Sequence, residues 1–184
     1  MNYRDTLNLP STKFPMKANL PQREPDILKF WDTINLDKKI RDKHAKSDDY
    51  ILHDGPPYAN GDIHIGHAVN KVLKDIVTKS KTFSGFNAPL IPGWDCHGLP
   101  IELMVEKKYG KSKFKDNKNA FRKACREYAS KQINKQKIDF IRLGVVADWE
   151  NPYTSMDKDF EASVVKSFSS ILKNNHIYHG SKPV

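Results

Sequence analysis

Residues 53–67 read HDGPPYANGDIHIGH, and no regular element can run through them. Pro56 and Pro57 lack the N–H that a ladder or helix needs, and Gly55, Asn60 and Gly61 favour turns. Apolar residues precede this stretch, and AVNKVLKDIV follows it with the spacing of an amphipathic helix. The chain is therefore committed to a short strand at Tyr50–His53, an irregular loop, and a helix from about Ile63 to Lys81 closed by Ser84 and Gly85. Asn87–Trp94 then predicts a second, buried strand with prolines near its ends. Helices are expected after Pro100 as far as Tyr109 and from Lys118 to Leu143, and Gly144–Ala147 is a third strand candidate. Phe160, Val164, Phe168 and Ile171 mark a last helix. Strand, crossover helix, strand predicts an α/β fold with a parallel sheet of right-handed βαβ units. In such sheets ligands bind beyond the carboxyl ends of the strands, where the loops after His53 and after Pro92 both fall.

The flanks are plainer. Met1–Pro21 carries three prolines and no helical period, so it reads as an extended arm. Pro25 suits the first turn of a helix, carried on by Ile27, Leu28, Trp31, Ile34 and Ile40. Residues 177–184 are expected to be extended. With 38% hydrophobic residues in 184, the core is modest. No apolar run approaches the roughly 18 residues of a membrane span, and no leader pattern opens the chain. Cys96 and Cys125 make no disulfide framework, so a reduced, cytoplasmic protein with no membrane partner is expected.

The net charge of +9 is a local feature. Residues 107–137 hold twelve Lys and Arg against Asp116 and Glu127, so the remainder is nearly neutral. Such a stretch can meet a polyanion, or can simply be a solvated helix face.

On a helical wheel Ile65, Val69, Val72, Leu73 and Ile76 share one face, and His64, His67, Lys71 and Lys74 lie nearly opposite. The histidines fall in the first turn, where backbone N–H groups are unpaired and the dipole attracts anions. Imidazoles there can donate to phosphate oxygens. Gly66, beside both, leaves room for a flat ring against the backbone. A zinc site built from His64, His67, Cys96 and His97 is the metal alternative. The Gly and Asn around the histidines suit a phosphate better, and no metal ligand is assigned. Asp95 ends an apolar strand and can hold a cation or merely serve a turn. Asp54 is expected to cap the Gly-Pro-Pro turn, and Asp62 to cap the helix.

The segment Pro57, Tyr58, Ala59, Asn60, Gly61, Asp62, Ile63, His64, Ile65, Gly66, His67 resembles the HIGH signature of the class I aminoacyl-tRNA synthetases. HDGPPYANGDIHIGHAVNKVLKD and PLIPGWDCHGLPIE are most similar to the isoleucine-specific branch, as are TLNLPSTKFPMKANLPQREPDIL and LGVVADWENPYTSMD. The resemblance covers essentially the whole chain. It implies a Rossmann-type catalytic domain, with residues 1–47 as arm and helix and 48–184 as its first half. It also implies ATP-dependent activation of isoleucine and transfer to the cognate tRNA(Ile), with Mg2+ and a monomeric full-length enzyme. By position, His64 and His67 would contact ATP phosphates and be catalytic. Gly66 would lie against adenine and Asn70 near the nucleotide. Gly55 and Pro56 would line the isoleucine site with Tyr58 close by, and Asp95 would hold the substrate ammonium.

Two family features are missing: the lysine-bearing KMSKS loop and the inserted editing domain. The resemblance therefore implies an N-terminal fragment ending about where the editing insertion would begin, not competent alone. Any zinc would belong to the parts absent. Two rivals are a small nucleotidyltransferase, which also uses HxGH, and a nucleic-acid-binding module in which the basic segment is the function.

Overall fold

The computed structural model describes residues 3–8, 12 and 15–182. Three segments run side by side and parallel, 87–95 in the centre, 49–58 on one side and 148–155 on the other. Bridges Asp49–Asn87 and Tyr58–Asp95 join the first pair. In the second, β1 (Gly93–Trp94) pairs with β2 (Tyr153–Thr154) in the register Gly93–Tyr153 and Trp94–Thr154.

Regular strands are much shorter than the sequence predicts. The expected strand at Tyr50–His53 contributes the Tyr50 N–H, donated to the Asn87 carbonyl at 2.9 Å, and pairing resumes only at Tyr58. Pro56 and Pro57 on one segment and Pro89 and Pro92 on its neighbour remove the donors between. The strand expected at Asn87–Trp94 shrinks to its last two residues for the same reason. Gly144–Ala147 is not a strand: Val146 gives its N–H to the Asp75 carboxylate at 2.9 Å, and Gly144 receives Lys79 at 3.0 Å. The third strand is β2 instead, which the sequence did not announce.

Among the described residues six α-helices surround these segments: α1 (Leu20–Thr33), α2 (Leu36–His44), α3 (Ile65–Phe83), α4 (Leu99–Tyr109), α5 (Lys118–Arg142) and α6 (Lys158–Lys173). The helix expected from Pro25 begins earlier, with Pro21 near its start and Pro25 inside it. It breaks at Asn35, which takes a left-handed φ of 51°, so Ile34 and Ile40 do not share a helix. The arm includes a 3₁₀ turn at Tyr3–Thr6; its residues 1, 2, 9–11, 13 and 14, and residues 183–184 at the other end, lie outside the described residues. None of the helices described is long and apolar enough to cross a membrane.

The core lies where α4 and α5 meet the central segment: Ala59, Trp94, Cys96, Ile101, Ala129, Ile133 and Phe140 pack together. A smaller cluster of Leu90, Val145 and Ala147 sits beside Trp149. Helix α3 enters this arrangement with its polar side. Ile65, Val69, Leu73 and Ile76 are 51–80% exposed, while Lys71, Asp75 and Thr78 are buried. Burial of those charges is tolerated because each has a partner. Asp54 meets Lys71, while Asp75 binds Lys79 at 2.5 Å and the Val146 N–H.

Candidate functional site

His64 is the N-cap of α3, not a residue of its first turn, and His67 stands at the third helical position. The Gly66 N–H donates to His64 Nδ1 at 3.1 Å, and the His64 N–H donates to His67 Nδ1 at 3.3 Å. This is a capping box built from two imidazoles where Ser and Glu usually serve. Because both Nδ1 atoms accept, both neutral rings carry their proton on Nε2. The rings stack with centroids 3.9 Å apart. Two N–H donors thus stand side by side at the positive end of a 19-residue helix. Burial, and then the charges of His64 and Lys71, hold His67 below the usual histidine range.

Gly66 is explained by the same geometry. A Cβ there would lie 2.9 Å from His64 Cε1 and 3.0 Å from its Nδ1. The flat ring against this glycine is that of His64.

The loop from Gly55 to Gly61 is fastened to the central segment and to α5. Asp95 donates its N–H to Pro57 O at 2.9 Å, and Ala59 returns one to Asp95 O at 2.8 Å. The Tyr58 hydroxyl donates to the His97 carbonyl, so this ring ties the two signature loops together. Gly98, at φ +111°, has no Cβ to meet that hydroxyl. Gln136, fully buried on α5, spends its whole amide here. Its Nε2 donates to Tyr58 O and Gly61 O, each at 3.0 Å, and its Oε1 accepts the Trp94 indole N–H at 3.0 Å. Tyr128 donates to Asn60 Oδ1 at 2.7 Å, and Lys135 pairs with Asp62. Asp62 is thus an ion-pair partner of α5; the helix cap it was expected to provide is His64, two residues on.

Asp95 Oδ1 accepts from the His97 N–H at 3.4 Å and the Ser155 hydroxyl at 3.3 Å. Its Oδ2 accepts nothing and no cation pairs with it among the described residues. A half-buried carboxylate with an open oxygen beside Tyr58 can receive an ammonium. Gly55 and Pro56 are exposed, with Gly55 O accepting from Lys74 at 3.2 Å. Asn70 is exposed on the second turn of α3, and Ile63 packs against the core.

Sequence reasoning missed Gln136, Ser155 and the depth of Asp54. Only Gln136 left a signal: Ala129, Gln136, Ile133 and Phe140 repeat at helical spacing, and a glutamine in an apolar stripe asks for buried partners.

The family described as tRNA synthetases class I (I, L, M and V) fits residues 26–184. This chain belongs to that family. Over 184 residues it is 61% identical to an isoleucine–tRNA ligase of Methylococcus capsulatus. Over 183 residues it is 62% identical to that of Alcanivorax borkumensis, and over 184 residues 58% identical to that of Haemophilus influenzae. Each match takes in all of this chain and 20% of the relative, so the chain spans about a fifth of the length of these proteins. Among solved structures, the LeuRS–tRNA–LeuAMS ternary complex of Agrobacterium radiobacter K84 superposes with a TM-score of 0.66 at 21% identity. It covers 88% of this chain and 19% of that one. The likeness is one of fold, an α/β catalytic domain of class I synthetases, here with a small parallel sheet.

Proposed function

We propose that this chain is part of an isoleucine–tRNA ligase. Its residues 48–184 form the first half of a Rossmann-type domain that binds ATP and isoleucine, following the arm and helix of 1–47. What supports the reading above all is the paired-histidine cap. In the reaction the isoleucine carboxylate attacks the α-phosphorus of ATP, the bond to pyrophosphate breaks, and negative charge builds on the leaving oxygens. The Nε2–H groups of His64 and His67 stand ready to meet that charge without reorganising. Gly66 and Asn70 border the nucleotide, Gly55, Pro56 and Tyr58 the amino acid, and Asp95 Oδ2 receives the ammonium. Among the described residues no three His, Cys, Asp or Glu side chains gather around a common point. Mg2+ in this reading arrives on the phosphates, as it does where it keeps most of its waters.

In the second step a ribose hydroxyl of the terminal adenosine of tRNA(Ile) attacks the aminoacyl carbonyl and AMP leaves. The basic stretch that runs from the end of α4 into α5 suits the incoming acceptor arm. Lys107, Lys108, Lys113, Lys115, Lys118, Arg122, Lys123 and Lys131 are exposed. The same helix reaches the signature loop through Tyr128 and Lys135. Neutralising three or four of these lysines in the full-length protein should lower the salt slope of tRNA binding by a few units and leave adenylate formation unchanged. An unchanged slope would make this stretch a solvated face. The central test is isoleucine-dependent exchange of pyrophosphate into ATP by the full-length protein, with leucine and valine as controls. Exchange that ignores isoleucine would overturn the assignment.

A further inference from the structure

Asp54 lies immediately before the Gly55–Gly61 loop and is 1% exposed. Its Oδ2 takes the Lys71 ammonium and the Gly93 N–H, the latter at 3.0 Å. Its Oδ1 takes Lys74 at 2.6 Å, and its carbonyl accepts the Tyr153 hydroxyl. Lys74 also reaches Gly55 O at 3.2 Å. Lys71 is 1% exposed and lies 5.3 Å from the centre of the Phe140 ring. The Tyr153 ring lies so close over Gly93 that no Cβ would fit there. The Asp54 carboxylate therefore binds two cations from α3 and one N–H from β1, and the Asp54 carbonyl binds β2.

We propose that Asp54 is a positioning residue for adenylate formation, holding the paired-histidine helix end, the Gly55–Gly61 loop and the strand leading to Asp95 in one register. The proposal rests on the isoleucine-activating reading above. Three segments that bear substrate-facing groups share no other common contact of this kind among the described residues. Lys71 lies one turn beyond His67 on α3, Gly93 lies two residues before Asp95, and Gly55 follows Asp54 directly. Ion pairs taken wholly out of water seldom hold a fold better than apolar packing would, because desolvation offsets their attraction. What they add is a directional demand: a carboxylate with three donors accepts only one arrangement of the pieces that carry them. Burial pushes the Lys71 ammonium toward its neutral form, and Asp54 opposes that shift.

The test uses the full-length protein, with exchange kinetics and thermal unfolding measured together. Asp54→Asn alone strands a buried ammonium and is expected to unfold early. Asp54→Asn combined with Lys71→Met removes the charge and should regain most of the stability. It should still show at least a tenfold loss in kcat and raised KM for both isoleucine and ATP. Lys74→Met leaves the Asp54–Lys71 pair intact. It should melt within a few degrees of the wild type yet raise KM for isoleucine at least fivefold. Wild-type kinetics in Lys74→Met, or in a double variant of recovered stability, would make the cluster mere scaffolding. A wild-type protein without isoleucine-dependent exchange would overturn the functional reading itself, and the positioning role with it.

Discussion

Gly66→Ala separates stability from chemistry at the paired histidines. The added methyl would sit 2.9 Å from His64 Cε1, so the exposed ring must swing away. Two opposed effects act on folding. Alanine is favoured over glycine in a helix by up to about 1 kcal/mol. Losing the cap from the Gly66 N–H to Nδ1 costs about 0.5–2 kcal/mol. The net change should lie within about 1 kcal/mol of zero, a shift of only a few degrees in melting temperature. Catalysis has no such offset. The Nε2–H of His64 leaves its place beside His67, and losing one positioned donor costs roughly 100- to 1000-fold in rate. The assay is isoleucine-dependent pyrophosphate exchange by the full-length protein, with thermal unfolding on the same samples. His64→Ala should match Gly66→Ala in rate loss, and in that background Gly66→Ala should cost little more, because no ring remains to be displaced. Exchange within about threefold of wild type in Gly66→Ala would refute the argument. A full additional loss without His64 would show that the added methyl acts on the nucleotide Gly66 borders and not through the ring.

Other outcomes follow from the same geometry. Asp95→Asn should weaken isoleucine dependence by about 30-fold to several thousand-fold, the roughly 2–5 kcal/mol of a desolvated charge pair, with ATP dependence little changed; near-normal isoleucine kinetics would leave Asp95 a turn residue. Gln136→Leu strands the Trp94 indole N–H and the carbonyls of Tyr58 and Gly61, and at about 1 kcal/mol or more each it should cost this domain roughly 3 kcal/mol; an unchanged denaturation midpoint would contradict this. The folded state holds His67 below its ordinary 6.5, so its neutral form contributes stability that is complete above that value and lost as pH falls through the lowered one. Exchange activity and melting temperature should therefore both decline below about pH 6.5, and a limb that persists unchanged in His67→Asn would assign it elsewhere.

How much was legible depended on distance along the chain. The paired histidines are three residues apart, and a helix N-terminus imposes their geometry from backbone alone, so the sequence placed them within two residues of the cap. Helices α4 and α5 also start and end within two residues of expectation, and α6 spans the four apolar residues that announced it. The strands did not. Proline positions were visible, but the consequence, that side chains of Asp54 and Asp75 take over N–H groups a ladder would have used, was not. Those partners lie 39 and 71 residues away.

The face of α3 shows the limit most clearly. Its spacing declares an apolar stripe, and a stripe says only that some part of a polypeptide covers it. Within this chain, a fifth of the length of its relatives, the polar side is the buried one. The sequence by itself determined the local features: two imidazoles at a helix start, a loop that cannot be regular, a basic helix. Only the tertiary structure decided which charges meet. The Asp54 cluster gathers donors from residues 71, 74 and 93, and attraction between groups so far apart in the chain exists only once folding has removed the water between them.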